Sequence, residues 1–166
     1  RVLYGLLLDI PCGVQKMSAD IEGLVQTSLN LGILETTENE MHAVYSVRSS
    51  VGDEKRALLA TMRSLALKAG ATFAVEGEYP AWEYKKVSPL RDTVIATYRR
   101  LYGKDMQVEA IHAGLECGLF CDRIPGLECV SLGPNMQDVH TTRDRLSVSS
   151  VRRTYEFVCG ILASIV

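Results

Sequence analysis

The sequence predicts an α/β protein, and three features point there. Two neighbouring runs alternate apolar and polar residues as half-buried strands do, longer stretches carry apolar residues at helical spacing, and short apolar runs lie between the helices. Helices alternating with short apolar strands are the pattern of a layered α/β domain.

The elements follow in order. The chain opens on an apolar run, Val2 to Leu8, too short to span a bilayer and followed by no small-residue cleavage site. The first residue is arginine and the apolar run begins abruptly, so the chain reads as cut from something longer. Residues 27–34 place Leu29, Leu31 and Ile33 on one strand face, residues 42–49 are rich in β-formers, and the polar segment Glu35 to Glu40 reads as their hairpin connection. A helix comes next, with Asp53 as its N-cap, Leu58, Met62, Leu65 and Ala69 as its stripe, and Gly70 at its stop. Residues 71–75 form a short strand candidate. The segment Glu78-Tyr79-Pro80-Ala81-Trp82 then breaks the pattern and marks a domain boundary, dividing the chain into 1–80 and 81–166.

The second half opens with a helix capped by Ser88, with Pro89 in its first turn, a stripe of Leu90, Val94, Tyr98 and Leu101, and Gly103 at its end. Residues 108–111 and 128–132 are two further strand candidates, the latter leading into Gly133-Pro134. A last helix is expected from about Ser149 to the terminus, with Val151, Tyr155, Val158, Leu162 and Ile165 on one side.

Composition narrows the function classes. A chain of 166 residues suits one domain or pieces of two. With 18 basic against 20 acidic residues the net charge is −2, so no basic excess exists to neutralise phosphates, and nucleic-acid binding has no support. Five cysteines make no disulfide framework, which fits a reducing, cytoplasmic setting. Cys117 and Cys121 are four apart, but no second pair at zinc-finger spacing accompanies them.

Three histidines and one arginine are the residues with chemical potential. His140 follows a strand candidate and a Gly-Pro turn, where an imidazole on a loop can reach a metal; a solvated loop histidine is the bland alternative. His112 opens His112-Ala113-Gly114-Leu115-Glu116-Cys117-Gly118, whose glycines let the backbone approach a ligand or simply make a strand-to-helix turn. His42 reads as a partly exposed strand residue. Arg48 closes the second hairpin strand, where its guanidinium could grip a carboxylate with two parallel bonds or simply face water. No complete catalytic set is present: the chain has no His-Glu-x-x-His, no phosphate-cradling glycine loop and no nucleophile elbow.

The run His112 to Gly118 resembles a signature of the Xaa-His dipeptidases, also called aminoacyl-histidine dipeptidases, of metallopeptidase family M20. Ser131-Leu132-Gly133-Pro134, His140 and Asp144-Arg145-Leu146 are similar to a second family stretch, and Thr27 to Gly32, Arg48-Ser49 and Tyr79 to Trp82 extend the likeness over nearly the whole chain. The resemblance implies an α/β catalytic domain binding two zinc ions, with an inserted lid domain that mediates homodimerisation. Residues 1–80 resemble the second part of that lid, and 81–166 the C-terminal part of the catalytic domain. It further implies that His140 is the last metal-binding histidine and that Arg48 holds the free carboxylate of a dipeptide substrate. Gly114 and Glu116 would line the substrate site, Gly114 through its backbone. The family's remaining metal ligands and its general base lie upstream, so no catalytic residue is expected in this chain and the isolated piece is expected to be inactive. Two other readings are a non-catalytic dimerisation module and a different family hydrolase, an aminopeptidase or a deacylase.

Overall fold

The protein is described by a computed structural model covering residues 2–110 and 116–165. It divides into two compact units. One takes in the described residues up to Tyr84 and those between Ala110 and Pro125; the other takes in Lys85–Glu109 and Gly126 onward.

The first unit begins with helix α1 (Val2–Asp9), formed by the apolar N-terminal run, and a three-stranded antiparallel sheet in the order β1-β2-β3. Its strands are β1 (Gly13–Met17), β2 (Val25–Thr36) and β3 (Met41–Ser49). The β2–β3 pair is the hairpin expected from the alternation, its turn closed by Thr37, whose N–H donates to the Glu40 carbonyl at 2.8 Å. Helix α2 (Gly52–Lys68) follows and covers one face of the sheet. Met62 and Leu29 are buried between them with Leu6 and Ile10, and Tyr45, Val47, Leu58 and Leu65 pack around that cluster. Leu29 is 0% exposed and lies at the centre of the middle strand. Helix α4 (Glu116–Arg123) also belongs to this unit, and a Cβ on its Gly118 would stand 3.1 Å from the Pro80 carbonyl oxygen, so glycine lets the helix lie directly on the Pro80–Trp82 backbone.

The second unit is built on two helices, α3 (Pro89–Tyr102) and α5 (Val148–Ile165), with a small hairpin of β4 (Met136–Gln137) and β5 (Arg145–Leu146). Val94 of α3 meets Phe157 and Ile161 of α5 in its core, edged by Leu90, Tyr98, Tyr102, Val130 and Leu132. Tyr98 and Phe157 are T-shaped, 5.5 Å between centroids, a favoured aromatic geometry. Gly160 permits the helix crossing, since a Cβ there would approach Leu101 Cδ1 to 3.0 Å. As expected, Ser88 caps α3 by accepting from the Arg91 N–H, Pro89 is the first helical residue, and Gly103 ends the helix at φ 63°.

Several expectations are corrected. The N-cap of α2 is Val51, whose side chain makes no capping bond; Asp53 lies inside the first turn and pairs with Arg56. Leu31 and Ile33 do not share the burial of Leu29: both are exposed, and the β2–β3 register shifts between them. Residues 71–75, 108–110 and 128–132 join no ladder among the described residues. An apolar run becomes a strand only where another strand pairs with it, and local periodicity does not report that partner. Of the stripe expected on α5, Val151, Tyr155, Leu162 and Ile165 face out and Val158 is half-buried, while Ser150, Phe157 and Ile161 are buried. That helix is apolar on two sides, and α3 takes only one of them.

Candidate active site

Arg48 stands opposite Ser28 in the β2–β3 ladder. Side chains alternate along a strand, so Tyr45, Val47 and Ser49 turn toward α2 while Val44, Ser46 and Arg48 face the other way. The guanidinium is exposed, and among the described residues no carboxylate pairs with it. Its donors are therefore available to an incoming anion.

The backbone beneath Arg48 is tightly held. One residue further along, Thr27 faces Ser49, and their buried hydroxyls are 2.9 Å apart. Ser49 Oγ also accepts from the Val51 amide at 3.1 Å, joining the strand end to the start of α2. Glu54, in the first turn of α2, accepts from Thr27 Oγ1 at 2.8 Å and Gln26 Nε2 at 2.7 Å, and its other oxygen accepts from Lys16 of β1. Burial alone would raise the Glu54 pKa. The hydrogen bonds from Lys16, Gln26 and Thr27 and the nearby ammonium charge outweigh it and hold the carboxyl below its usual range. The sequence reading missed this cluster, and no local signal could have revealed it, because Glu54 bonds to residues 27, 28 and 38 positions away.

His140 occupies a different setting. It lies in the turn joining β4 to β5, exposed, with φ 64°, and Asp138 beside it has φ 54°. Left-handed backbone at a non-glycine residue is uncommon and clusters at functional sites. The turn is closed by Thr141, whose amide and hydroxyl both donate to the Asp138 carbonyl, at 3.2 and 2.7 Å, and by an Asp138–Arg145 ion pair at 2.8 Å. These bonds hold the backbone on both sides of the exposed His140. Glu116 is exposed at the first position of α4, where a carboxylate suits the positive end of the helix. Gly114 and His112 lie outside the described residues.

In the second unit, Glu128 accepts from the Leu90 amide and from Ser88 Oγ, both at 2.9 Å, adding a carboxylate to the Ser88 cap. The Leu90 and Ser88 bonds, with help from Lys85 and Arg91, hold its pKa below the usual range against a small burial effect. A groove of about 490 Å3 runs along α3 beside Asp92, Ile95, Ala96, Arg99 and Arg100. It contains none of the predicted site residues, and a groove along one helix says less about function than Arg48 and His140 do.

A zinc centre needs about three or four protein ligands. Among the described residues no three His, Cys, Asp or Glu side chains converge to hold a metal. His140 offers one outward imidazole, so the described residues by themselves do not fit a zinc site.

The fold defined by these elements is that of peptidase structures, and the comparisons specify which. The chain is 34% identical over 160 residues to the cytosol non-specific dipeptidase of Escherichia coli, a match covering 96% of this chain and 33% of that protein. Among solved structures it is similar to the aminoacylhistidine dipeptidase of Vibrio alginolyticus, with a TM-score of 0.88 and 31% identity over 98% of this chain and 33% of the other. The aminopeptidase PepT of Bacillus cereus shares the fold, with a TM-score of 0.78 at 18% identity over 99% of this chain and 44% of the other. No protein-family model matches. The resemblance to the aminoacyl-histidine dipeptidases thus holds over nearly the whole chain, and the chain spans about a third of the length of these dipeptidases.

Proposed function

We propose that this chain is the C-terminal portion of a zinc-dependent, family M20 dipeptidase that hydrolyses Xaa-His and other short dipeptides in the cytoplasm. The observation carrying this reading is the likeness to an aminoacylhistidine dipeptidase across 98% of the chain, at a TM-score of 0.88. The cytosolic relative supports the compartment, and no described helix is long and apolar enough to cross a membrane.

In this reading residues 1–80 are the second part of a lid that carries the homodimer contact, and 81–166 are the returning part of the catalytic domain. His140 supplies one position of a two-zinc centre whose other ligands, like the general base, come from the rest of the polypeptide. Bound zinc would supply a water activated at neutral pH. This chain's own residues recognise the substrate. Arg48 takes the free carboxylate in a bidentate grip, which limits substrates to very short peptides. The outward setting of Arg48 and its lack of a carboxylate partner among the described residues support that role. Gly114 offers a backbone contact, and Glu116 contacts substrate or orients another group. The 166-residue piece alone is inactive, since a single imidazole does not retain a catalytic metal.

The test is a pair of variants in the whole dipeptidase polypeptide, assayed on β-alanyl-histidine and other dipeptides. His140→Ala is expected to lose zinc and nearly all turnover, and Arg48→Met to raise KM with zinc retained. Unchanged metal content and activity in the first, or an unchanged KM in the second, removes that residue from the site.

A further inference from the structure

We infer that Glu54 is the positioning residue of Arg48, fixing through Thr27 and Ser49 the strand end from which the guanidinium reaches its carboxylate ligand. The inference rests on the carboxylate-binding reading of Arg48. Three elements meet at this one side chain: Lys16 from β1, Gln26 and Thr27 from β2, and α2 itself. Thr27 passes the restraint to Ser49, the residue after Arg48, through the 2.9 Å hydroxyl contact. Ser49 is bonded onward to Val51, its hydroxyl accepting from the amide at 3.1 Å while its own proton goes to Thr27 Oγ1. The Ser50 amide donates to the Gln26 carbonyl at 3.0 Å, so the chain on the C-terminal side of Arg48 is tied to β2 as well.

The chemistry of the acceptor is specific. Lys16 Nζ, Gln26 Nε2 and Thr27 Oγ1 all point donors at two oxygens, and an ionised carboxylate is acceptor-only. Glutamine would place an NH2 against one of those donors. The lost bond would free the β2–β3 end to shift, and a shift of the Arg48 backbone is magnified along its long side chain. Register at this end also matters because slipping by one residue would turn Arg48 to the α2 face. The irregular pairing of β1 on both sides of Lys16 shows that β1 departs from a regular ladder at the residue that reaches Glu54.

The experiment is a double-mutant cycle in the whole dipeptidase, comparing Glu54→Gln, Arg48→Met and the pair. The readouts are KM and kcat for a dipeptide and the Ki of the matching dipeptide amide, which lacks the free carboxylate. Glu54→Gln is expected to raise the dipeptide KM about tenfold, to leave kcat within about twofold and the amide Ki unmoved, and to add nothing in the Arg48→Met background. An unchanged KM, an equal change for dipeptide and amide, or an additive effect in that background overturns the positioning role while the role of Arg48 stands. An Arg48→Met enzyme with unaltered KM removes the reading and this inference with it. Should Glu54→Gln not fold, Ser49→Ala, which cuts the same relay and spares the carboxylate, is held to the same outcomes.

Discussion

Arg48 and His140 are presented by opposite kinds of scaffold. Arg48 projects from a nine-residue strand paired with a twelve-residue partner, above the fully buried Leu29 and beside a hydroxyl pair fixed by Glu54. His140 projects from a turn between two strands of two residues each, held by four hydrogen bonds and an exposed ion pair. The difference suits the chemistry proposed for each. A group that measures the end of a substrate gains from a rigid platform. A metal ligand receives its final restraint from the metal and its other ligands, so a small turn in the left-handed region suffices to aim it.

The comparison predicts unequal responses to mutation. The largest effect is expected from Leu29→Ala, which opens a cavity beneath the Arg48 sheet and should destabilise the first unit by about 3 kcal/mol or more in urea denaturation. The β4–β5 turn should keep its amide chemical shifts in the same variant; a change there would erase the distinction between the two scaffolds. Thr27→Val comes next. It leaves a buried Ser49 hydroxyl and the Glu54 carboxylate each short of a partner, at a cost of about 1–3 kcal/mol.

The acid limb of stability is a subtler probe. The Glu54 pKa is lowered on folding, so its contribution is complete above the unfolded value of about 4.3 and is lost as pH falls through the lowered folded value. Glu54→Gln should therefore flatten the stability–pH curve below about pH 4.3, and a curve of unchanged slope would mean the carboxyl is not held by its donors. Glu128 titrates in the same direction and leaves a residual slope. The smallest effect belongs to Asp138→Ala, which removes an ion pair exposed on both sides and should cost under about 1 kcal/mol. Its signature is a lower amide order parameter at His140 with none at Arg48. Equal loosening at both would show that the turn and the strand are not mechanically distinct.

How much of this was legible follows the range of the forces involved. The hairpin was visible because alternation is written at a spacing of two residues, and α3 because Ser88, Pro89 and Gly103 are local signals acting within one turn of the helix. The start of α2 was misplaced by two residues because Asp53 has the right chemistry for a cap yet serves Arg56 instead. The α5 stripe is legible as one apolar side, yet most of it is exposed. Periodicity identifies an apolar face and is silent about which neighbour covers it, and here Phe157 and Ile161 found α3 while Tyr155 and Leu162 did not.

The candidate site divides along the same line. His140, Arg48 and the loop with Gly114 and Glu116 came from short motifs and their resemblance to a family, and the structure adds the left-handed turn and the open strand face. Sequence by itself determined the α/β class, the hairpin, the capped helix and the kinship with dipeptidases, all of which reside in residues a few positions apart or in motifs read as strings. Only the tertiary structure decided that Glu54 binds three donors from two strands and which side of α5 is buried. Contacts between residues dozens of positions apart depend on how the chain closes on itself, and no local pattern carries that information.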